Sequence, residues 1–469
     1  MRTILLAFLL QVPAWVVEAP TGHSSLSGLP EATTLGSGVR PAIMAADTLG
    51  EGERRRTCTA REASRHRLIV EGGRELYVDP TVLVPSGGRT LLAGQPTYLF
   101  SKQDRAGTVS LTGTSTVFGA VLAADGSARS VPIPPIKSKI AAAITAVART
   151  GGSWRVIFAE LDSLPFRADK KVLAFWHGVY DGRRWSSVEQ LPSLPEVSLG
   201  YFNHSSVAER GDTVVWAALV HPTPTTQAVA VFERSRSKWS YHILPTPFAS
   251  YAALAHSPQL GFVLAVAHLD TTLKNGGNSL FLYQRRQAWR PLRKVVARSG
   301  GSVHHPALNL AGQTGILTWK TFMRGDVPAR FSIGFDEPAG GAAGVAGPRT
   351  ELQAMIGPMG PRDEPVVVID PTIAEGWKSV TLPNGSPLWV VDHVVGGSVR
   401  ELQIVRRSKD STAALWQTPY PYRGGFTAVA LPGPEVLIAG PLLEQTREVL
   451  VSLLLRVRVQ CDSTEASMR

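Results

Sequence analysis

Cysteine, charge and long apolar runs are all scarce in this sequence. Only two of the 469 residues are cysteines, and 18% are charged. The apolar run at the N-terminus, Ile4 to Val17, has 14 residues, whereas a membrane-spanning helix needs about 20. No later stretch reaches that length, so the mature chain is not expected to be integral to a membrane. With 44% hydrophobic residues, disorder is excluded over most of the chain.

The N-terminus has the pattern of a secretory signal peptide. Arg2 supplies a positive charge, the apolar run follows, and Val17-Glu18-Ala19 offers a small-residue cleavage site. We therefore predict a signal peptide over 1–19 and a secreted or periplasmic protein, with an uncleaved membrane anchor as the alternative. Residues 20–56 are rich in Gly, Ser, Thr and Pro and are interpreted as a flexible leader, and 463–469 as a C-terminal tail.

The two cysteines lie near the two ends of the presumed folded region, 57–462. Cys58 and Cys461 suit one disulfide that ties the termini together in an oxidising compartment. Two separate buried thiols are the alternative interpretation.

The chain is basic, with a formal net charge of +11. Of its 48 basic residues, 11 are lysine and 37 are arginine, and arginine favours planar anions such as carboxylates. Acidic glycans or anionic membrane surfaces would fit, although a genome rich in arginine codons gives the same count. The basic residues are dispersed without interleaved aromatics, so nucleic-acid binding is not expected.

Short apolar runs separated by turn residues repeat along the chain, and convincing amphipathic helices are absent. Each unit has a short strand, a turn and a strongly apolar strand. The units open at residues 79, 143, 204, 251, 305, 370 and 426, at intervals of 47 to 65 residues. Blades of a β-propeller repeat every ~40–50 residues, and loop insertions would lengthen that period. We predict an all-β propeller, with seven blades favoured over six.

The ends of the chain supply the pieces needed to close such a ring. The seventh unit has about three strands, the last being Val449 to Val459, and Arg67 to Val70 stands alone before the first unit. We expect these N- and C-terminal strands to share one blade, because closure buries the last exposed sheet faces.

Several units end in a strand, a polar turn and a tryptophan, as in Asp181-Gly182-Arg183-Arg184-Trp185. Trp239 and Trp289 follow similar turns. This pattern resembles the turns of sialidase-like propellers of the Asp-box type, over roughly 79–460. No unit carries the complete Asp box, and the arginine triad and the tyrosine nucleophile of sialidases have no matching residues here. The resemblance implies a fold and carries no active site across.

Polar residues recur where first strands begin and second strands end, positions that we expect to surround one mouth of the central channel. Six of the 11 histidines lie on or beside these positions. The predicted ligand-binding residues are Asp79, His204, Tyr251, His268, His305, Lys320, Asp370, Asp392 and His393.

The sequence leaves the activity open. We predict a binding module whose polar mouth takes a glycan or a protein ligand, without a cofactor. The first alternative is a sialidase-like glycoside hydrolase, with Asp79 and Asp370 as the paired carboxylates. The second is a structural subunit of a membrane-associated complex. Histidines and carboxylates could also bind zinc, but no close-spaced ligand motif such as His-Glu-x-x-His occurs, so no metal site is predicted.

Overall fold

A computed structural model describes most of the chain from Cys58 onward. The described residues are 58–70, 73–100, 115–162, 172–193, 205–223, 226–272, 278–295, 301–311, 314–323, 349–358, 366–369, 377–383, 387–396, 399–407, 412–418, 425–444 and 449–461. These residues form β-strands and turns without an α-helix, which confirms the all-β prediction. The same part of the chain contains no helix with the length and apolar character needed to cross a bilayer.

Thirty strands of the described residues form seven antiparallel sheets. Sheet 1 consists of β2 (Ile69–Val70), β3 (Arg74–Ser86), β4 (Arg89–Phe100), β5 (Ser115–Thr116), β6 (Gly119–Leu122) and β7 (Ala128–Val131). Sheet 2 consists of β8 (Ala141–Arg149), β9 (Ser153–Leu161), β10 (Val172–Tyr180) and β11 (Trp185–Gln190). Sheet 3 consists of β12 (Ser206–Arg210), β13 (Thr213–Thr223), β14 (Thr226–Ser235) and β15 (Lys238–Ile243).

The remaining sheets repeat this four-stranded plan. Sheet 4 consists of β16 (Tyr251–Ser257), β17 (Gly261–Leu269), β18 (Asn278–Arg285) and β19 (Trp289–Val295). Sheet 5 consists of β20 (Gly301–Ala311), β21 (Thr314–Met323), β22 (Arg349–Pro358) and β23 (Val366–Ile369). Sheet 6 consists of β24 (Trp377–Thr381), β25 (Pro387–Gly396), β26 (Val399–Arg407) and β27 (Thr412–Gln417). Sheet 7 consists of β28 (Thr427–Ala430), β29 (Glu435–Glu444), β30 (Val449–Cys461) and β1 (Cys58–Arg67).

Apolar side chains on both faces of the sheets form the core. Alternation along each strand sends successive side chains to opposite neighbours: Trp216 packs against sheet 2, whereas Val215 packs against sheet 4. The largest fully buried side chains occupy second strands: Trp154, Trp216, Trp319 and Trp389. The strongly apolar second run of each unit in the sequence therefore corresponds to a core strand.

Sheet 7 joins the two ends of the chain. β1 pairs with β30 along its length, and Cys58 lies directly opposite Cys461. These two cysteines form a disulfide across a sequence separation of 403 residues. The predicted joining of the N- and C-terminal strands in one sheet is confirmed. The N-terminal strand of that sheet is β1, which is longer than the predicted strand at 67–70 and begins earlier in the chain. Ile69–Val70 instead pairs with β3 in sheet 1.

The start of the sixth unit also differs from the prediction. The sequence pattern placed its first strand at 370–373, whereas the strand that pairs with β25 is β24, Trp377–Thr381. The sequence of β24, Trp-Lys-Ser-Val-Thr, alternates as expected for a half-buried strand. It contains few apolar residues, so the search for apolar runs did not identify this strand.

The first strands of the seven sheets, β3, β8, β12, β16, β20, β24 and β28, contact one another in chain order. β28 of sheet 7 in turn contacts β3 of sheet 1. The first strands are therefore neighbours, and residues that they carry at the same level come close together.

Candidate functional site

One edge of each sheet combines the start of the first strand with the end of the second, and we call it the mouth edge. The antiparallel register brings these positions together in three sheets. The opposed pairs are Ala141 with Glu160, Tyr251 with Ala267, and His304 with Lys320. The predicted positions thus share one edge within each of these sheets.

Tyr251 and His305 meet at the junction of sheets 4 and 5. Their ring centroids are 4.2 Å apart. His305 has a φ of 48°, a left-handed conformation that is rare for a residue other than glycine. The following Pro306 further restricts the backbone of His305, since a residue before proline prefers extended conformations. Strained backbone of this kind is common at functional sites, and here it occurs in a bulge of β20.

Asn309 and Ser379 are hydrogen-bonded at the next junction, between β20 and β24. The Asn309 amide Nδ2 donates to the Ser379 Oγ at 3.0 Å. Asn309 is exposed and Ser379 half-buried. Because the bond is solvated, both groups keep donor and acceptor positions that a ligand can use.

Lys378 precedes Ser379 on β24 and lies on its opposite face. Val380, two residues further along, packs in the core between sheets 6 and 7, so Lys378 is directed to that side. Solvent reaches the Lys378 side chain, yet surrounding protein lowers the pKa of its ammonium by desolvation.

These five residues lie on first strands at three successive junctions. We refer to Tyr251, His305, Asn309, Ser379 and Lys378 as the first-strand arc. Its members differ in height and face: Tyr251 begins β16, whereas Asn309 lies two residues before the end of β20, and Lys378 is on the opposite face of β24 from Ser379. Within the arc, the exposed Asn309–Ser379 pair offers an amide and a hydroxyl to a polar ligand.

An exposed aromatic ring lies at the mouth edge, close to Tyr251 in sequence. Phe248 is 48% exposed with a φ of 52°, three residues before Tyr251. Its loop is held on both sides: Leu269 N donates to the Pro247 carbonyl at 3.1 Å, and Ala249 N donates to the Gln227 carbonyl at 3.3 Å. The exposed ring is therefore a fixed feature of the mouth edge.

Other polar residues at the mouth edge are buried and have protein partners. Burial by itself would raise the pKa of Asp270, but Lys294, Ser279 and Thr272 donate to its carboxylate and together lower the pKa well below the usual range. Glu160 accepts from Ser138 N at 2.8 Å and from Trp176 Nε1 at 2.9 Å. Both carboxylates join neighbouring segments and are not available to a ligand.

The predicted ligand residue His268 is also part of the core. Its ring is stacked on Phe281 with centroids 4.0 Å apart. The Leu269 carbonyl lies 3.0 Å from Nδ1 and the Tyr283 hydroxyl 3.1 Å from Nε2. Because the carbonyl only accepts, Nδ1 carries the proton and Nε2 accepts from Tyr283. Burial lowers the pKa of His268, which keeps the ring neutral.

The remaining predicted residues differ in how much of them the structure describes. Asp392 is 3% exposed at the mouth edge of β25. The backbones of Asp79, Lys320 and His393 lie in β3, β21 and β25, but their side chains are outside the described part. The residues that lie outside it altogether are His204 and Asp370. Among the described residues, no group of three His, Cys, Asp or Glu is arranged to hold a metal ion.

Three members of the arc were not predicted. Asn309, Ser379 and Lys378 lie inside first strands, whereas the sequence interpretation considered only strand starts. The signal that could have identified Lys378 is a lone charge in a short strand, but the displaced start of the sixth unit concealed it.

Comparison with known proteins gives similarity to solved structures only. No protein-family profile and no curated protein sequence matches the chain. A protein of unknown function from Dyadobacter fermentans is 11% identical with a TM-score of 0.40, the match covering 86% of this chain and 100% of that one. Trypanosoma rangeli sialidase is 10% identical with a TM-score of 0.35, covering 71% of this chain and 56% of the sialidase.

An endo-arabinanase from Bacillus licheniformis is 12% identical with a TM-score of 0.30, covering 58% of this chain and 95% of the enzyme. These similarities concern the fold alone. They agree with the fold-level resemblance to sialidases noted in the sequence, and they transfer no catalytic residue to this chain.

Proposed function

We propose that the chain is a closed seven-bladed propeller that binds a polar ligand, a glycan in the first instance, along its first strands. Ring closure is supported by the sequential contacts of the first strands, with β28 against β3. The single disulfide suits an extracellular or periplasmic compartment, and the predicted signal peptide would direct the chain there.

The observation that carries the ligand-binding proposal is the first-strand arc. Its hydroxyl, amide and ammonium groups match the hydroxyl and carboxylate groups of glycans. Phe248 adds an exposed apolar face at the mouth edge. Glu160 and Asp270 at that edge are engaged by protein donors, so the proposal depends on the exposed Asn309 and its partner Ser379.

A glycan array tests this proposal with the full-length secreted protein. We expect wild type to bind a subset of the printed glycans, and the double variant Asn309→Ala/Ser379→Ala to lose at least about tenfold in affinity, as expected when two hydrogen bonds are removed. The matched control is Ser240→Ala/His242→Ala, at exposed positions of the outer strand β15. An arc variant that binds as well as wild type would contradict the proposal.

The hydrolase hypothesis remains a separate prediction. It is tested by turnover of a fluorogenic sialoside and a panel of aryl glycosides. Hydrolysis by wild type that is lost in Asp79→Asn or Asp370→Asn would favour catalysis, and its absence would leave the binding proposal as it stands.

A further inference from the structure

We propose that the edge opposite the mouth edge carries a second binding surface, a row of exposed cations that holds a linear acidic polysaccharide. The row lies on or beside the turns between the third and fourth strands of sheets 2, 3 and 4, and we call it the turn belt. It is separate from the proposed function, which depends on Asn309 and Ser379. The turn belt consists of Arg183, Arg184, Arg236, Lys238, Arg286 and Arg290.

The three turns occupy equivalent positions in neighbouring sheets. In each sheet a tryptophan near the start of the fourth strand lies opposite a residue at the end of the third strand. The opposed pairs are Trp185 with Tyr180, Trp239 with Arg234, and Trp289 with Arg285. Sheets 2, 3 and 4 are consecutive, since their first strands β8, β12 and β16 contact one another in that order. The shared register therefore places the three turns along one edge.

Every member of the turn belt is exposed to solvent. One carboxylate, Asp181, lies in the segments that carry the six cations. It is bound within its own turn: it accepts from the backbone N of Arg183 at 2.7 Å and of Arg184 at 2.8 Å, and the Arg184 Nε lies 3.8 Å from its other oxygen. Among the described residues of sheets 3 and 4, all exposed arginines and lysines lie at this edge.

Two carboxylates on strands that flank these turns are bound by other, half-buried arginines. Glu189 accepts from Arg234 at 3.0 Å across the junction of sheets 2 and 3. Glu233 accepts from Arg285 at 2.9 Å across the junction of sheets 3 and 4. These pairs join the sheets and do not neutralise the belt. Within the described part of the chain, the belt members other than Arg184 form no ion pair.

The turn in sheet 3 holds its cation in a conformation that folding alone does not favour. Ser235 pairs with Lys238, so Arg236 and Ser237 are the two central residues of a tight hairpin. Both have a positive φ, 48° and 66°, as a type I′ turn requires, and this turn strongly prefers Asn-Gly or Gly-Gly. Arginine here places a charge at the tip of the turn at a conformational cost, and a role for that charge explains why the cost is tolerated.

Three features of the belt favour an acidic polysaccharide as its ligand. Five of the six members are arginines, whose guanidinium forms paired hydrogen bonds with carboxylates and similar oxyanions. The cations occur in pairs, one pair for each sheet, and a linear chain with repeated charges can follow such a row. The exposed large apolar residues of the fourth strands, Tyr241, Ile243 and Leu292, lie outside the turns, so the belt lacks the apolar side chains that insert into a membrane surface.

Biolayer interferometry tests the inference with the full-length protein and two immobilised probes, polygalacturonate and heparin. We expect binding to an acidic probe at low ionic strength, no binding to neutral dextran, and an affinity that falls as salt screens the charges. Removal of one pair, in Arg183→Gln/Arg184→Gln or Arg286→Gln/Arg290→Gln, should lower the affinity about fivefold, as expected for two solvent-exposed ion pairs. Failure of wild type to bind either acidic probe would overturn the inference.

The matched control is Lys137→Gln/Lys139→Gln, which removes the same charge from exposed positions between sheets 1 and 2. A loss of affinity equal to that of a belt pair would show that net charge alone attracts the probes, and the belt would have no special role. Vesicles that contain phosphatidylserine test the competing partner. Binding to these vesicles without binding to either acidic polysaccharide would assign the belt to a membrane surface and refute the inference.

Arg236→Asn/Lys238→Gln separates binding from folding. Asparagine adopts a positive φ more readily than arginine, so the urea midpoint should equal or exceed that of wild type while the probe affinity falls about fivefold. Wild-type affinity in this variant would contradict the belt, and a lower midpoint would contradict the argument from the turn. Binding of neutral glycans on the array, which tests the proposed function, should be unchanged in all belt variants.

Discussion

Replacing His177 by glutamine tests a charge network buried between sheets 2 and 3. His177 is 0% exposed, and its Nε2 accepts a hydrogen bond from Arg155, whose guanidinium also binds Glu209. Nδ1 lies 3.7 Å from a Glu189 carboxylate oxygen, and the ring packs against Trp239. Since a cation already donates to Nε2, a second proton on the ring would be opposed by both burial and charge.

The pKa of His177 is lowered to about 3, first by desolvation and then by the Arg155 cation, with Glu189 acting in the opposite direction. The unfolded chain, with an ordinary histidine pKa of 6.5, therefore binds more protons than the native state between these values. Stability must fall as pH falls through this window. At about 1.4 kcal/mol per pKa unit, the loss in the free energy of unfolding is about 2 kcal/mol between pH 8 and pH 5, and about 4 kcal/mol by pH 3.

Urea unfolding at pH 8 and pH 5 measures this effect. The amide oxygen of His177→Gln can accept the hydrogen bond from Arg155 but does not titrate. Between pH 8 and pH 5 we therefore expect the free energy of unfolding of this variant to fall by about 2 kcal/mol less than that of wild type. The control His242→Gln changes an exposed residue of β15 and should keep the wild-type slope. Asp270 does not interfere, because its lowered pKa affects stability only below the ordinary aspartate value of 3.8. Equal pH slopes for wild type and His177→Gln would refute the reasoning.

Two further changes probe the turns and the chain ends. Gly87→Ala should be more destabilising than Gly88→Ala. Both glycines have a positive φ, so both substitutions strain the backbone. A Cβ at position 87 would also lie 2.8 Å from the Gly152 Cα, whereas a Cβ at position 88 meets no atom within 4 Å. Thermal melting of both variants checks this, and equal melting temperatures would contradict it. Cys58→Ala/Cys461→Ala should lower the free energy of unfolding by up to about 6 kcal/mol in the chain-entropy picture of a 403-residue loop. An unchanged urea midpoint would show that the paired strands alone hold the ends.

Much of the fold could be predicted from the sequence because strand periodicity and turn residues are local signals. The second strands are continuous apolar runs around Trp216, Trp319 and Trp389, and all three tryptophans are buried as expected. The tryptophan after each third-strand turn, such as Trp185, is likewise at the start of a fourth strand. Joining of the termini followed from counting strands, and the opposed cysteines supported it.

The candidate site was less predictable, because it depends on contacts between sheets. Strand starts made Tyr251 and His305 candidates, which they remain, but no sequence pattern reveals that their rings meet or that His305 has a positive φ. His268 matched the same pattern and proved to be a core residue, since Phe281 and Tyr283 cover it from the adjacent strand. A polar residue at a strand end can therefore either remain accessible to a ligand or become part of the core, depending on which side chains of the adjacent strand cover it.

The buried charges of Arg155 and Asp270 hold neighbouring segments together because each has a partner of opposite sign. Arg155 is matched by Glu209, and Asp270 by Lys294, so the cost of burying each charge is offset. His177, beside Arg155, stays uncharged instead, because burial and the Arg155 cation both lower its pKa. Removing Glu209 or Lys294 would leave a buried charge without compensation, so it is expected to reduce stability more than removing a charge at the exposed surface.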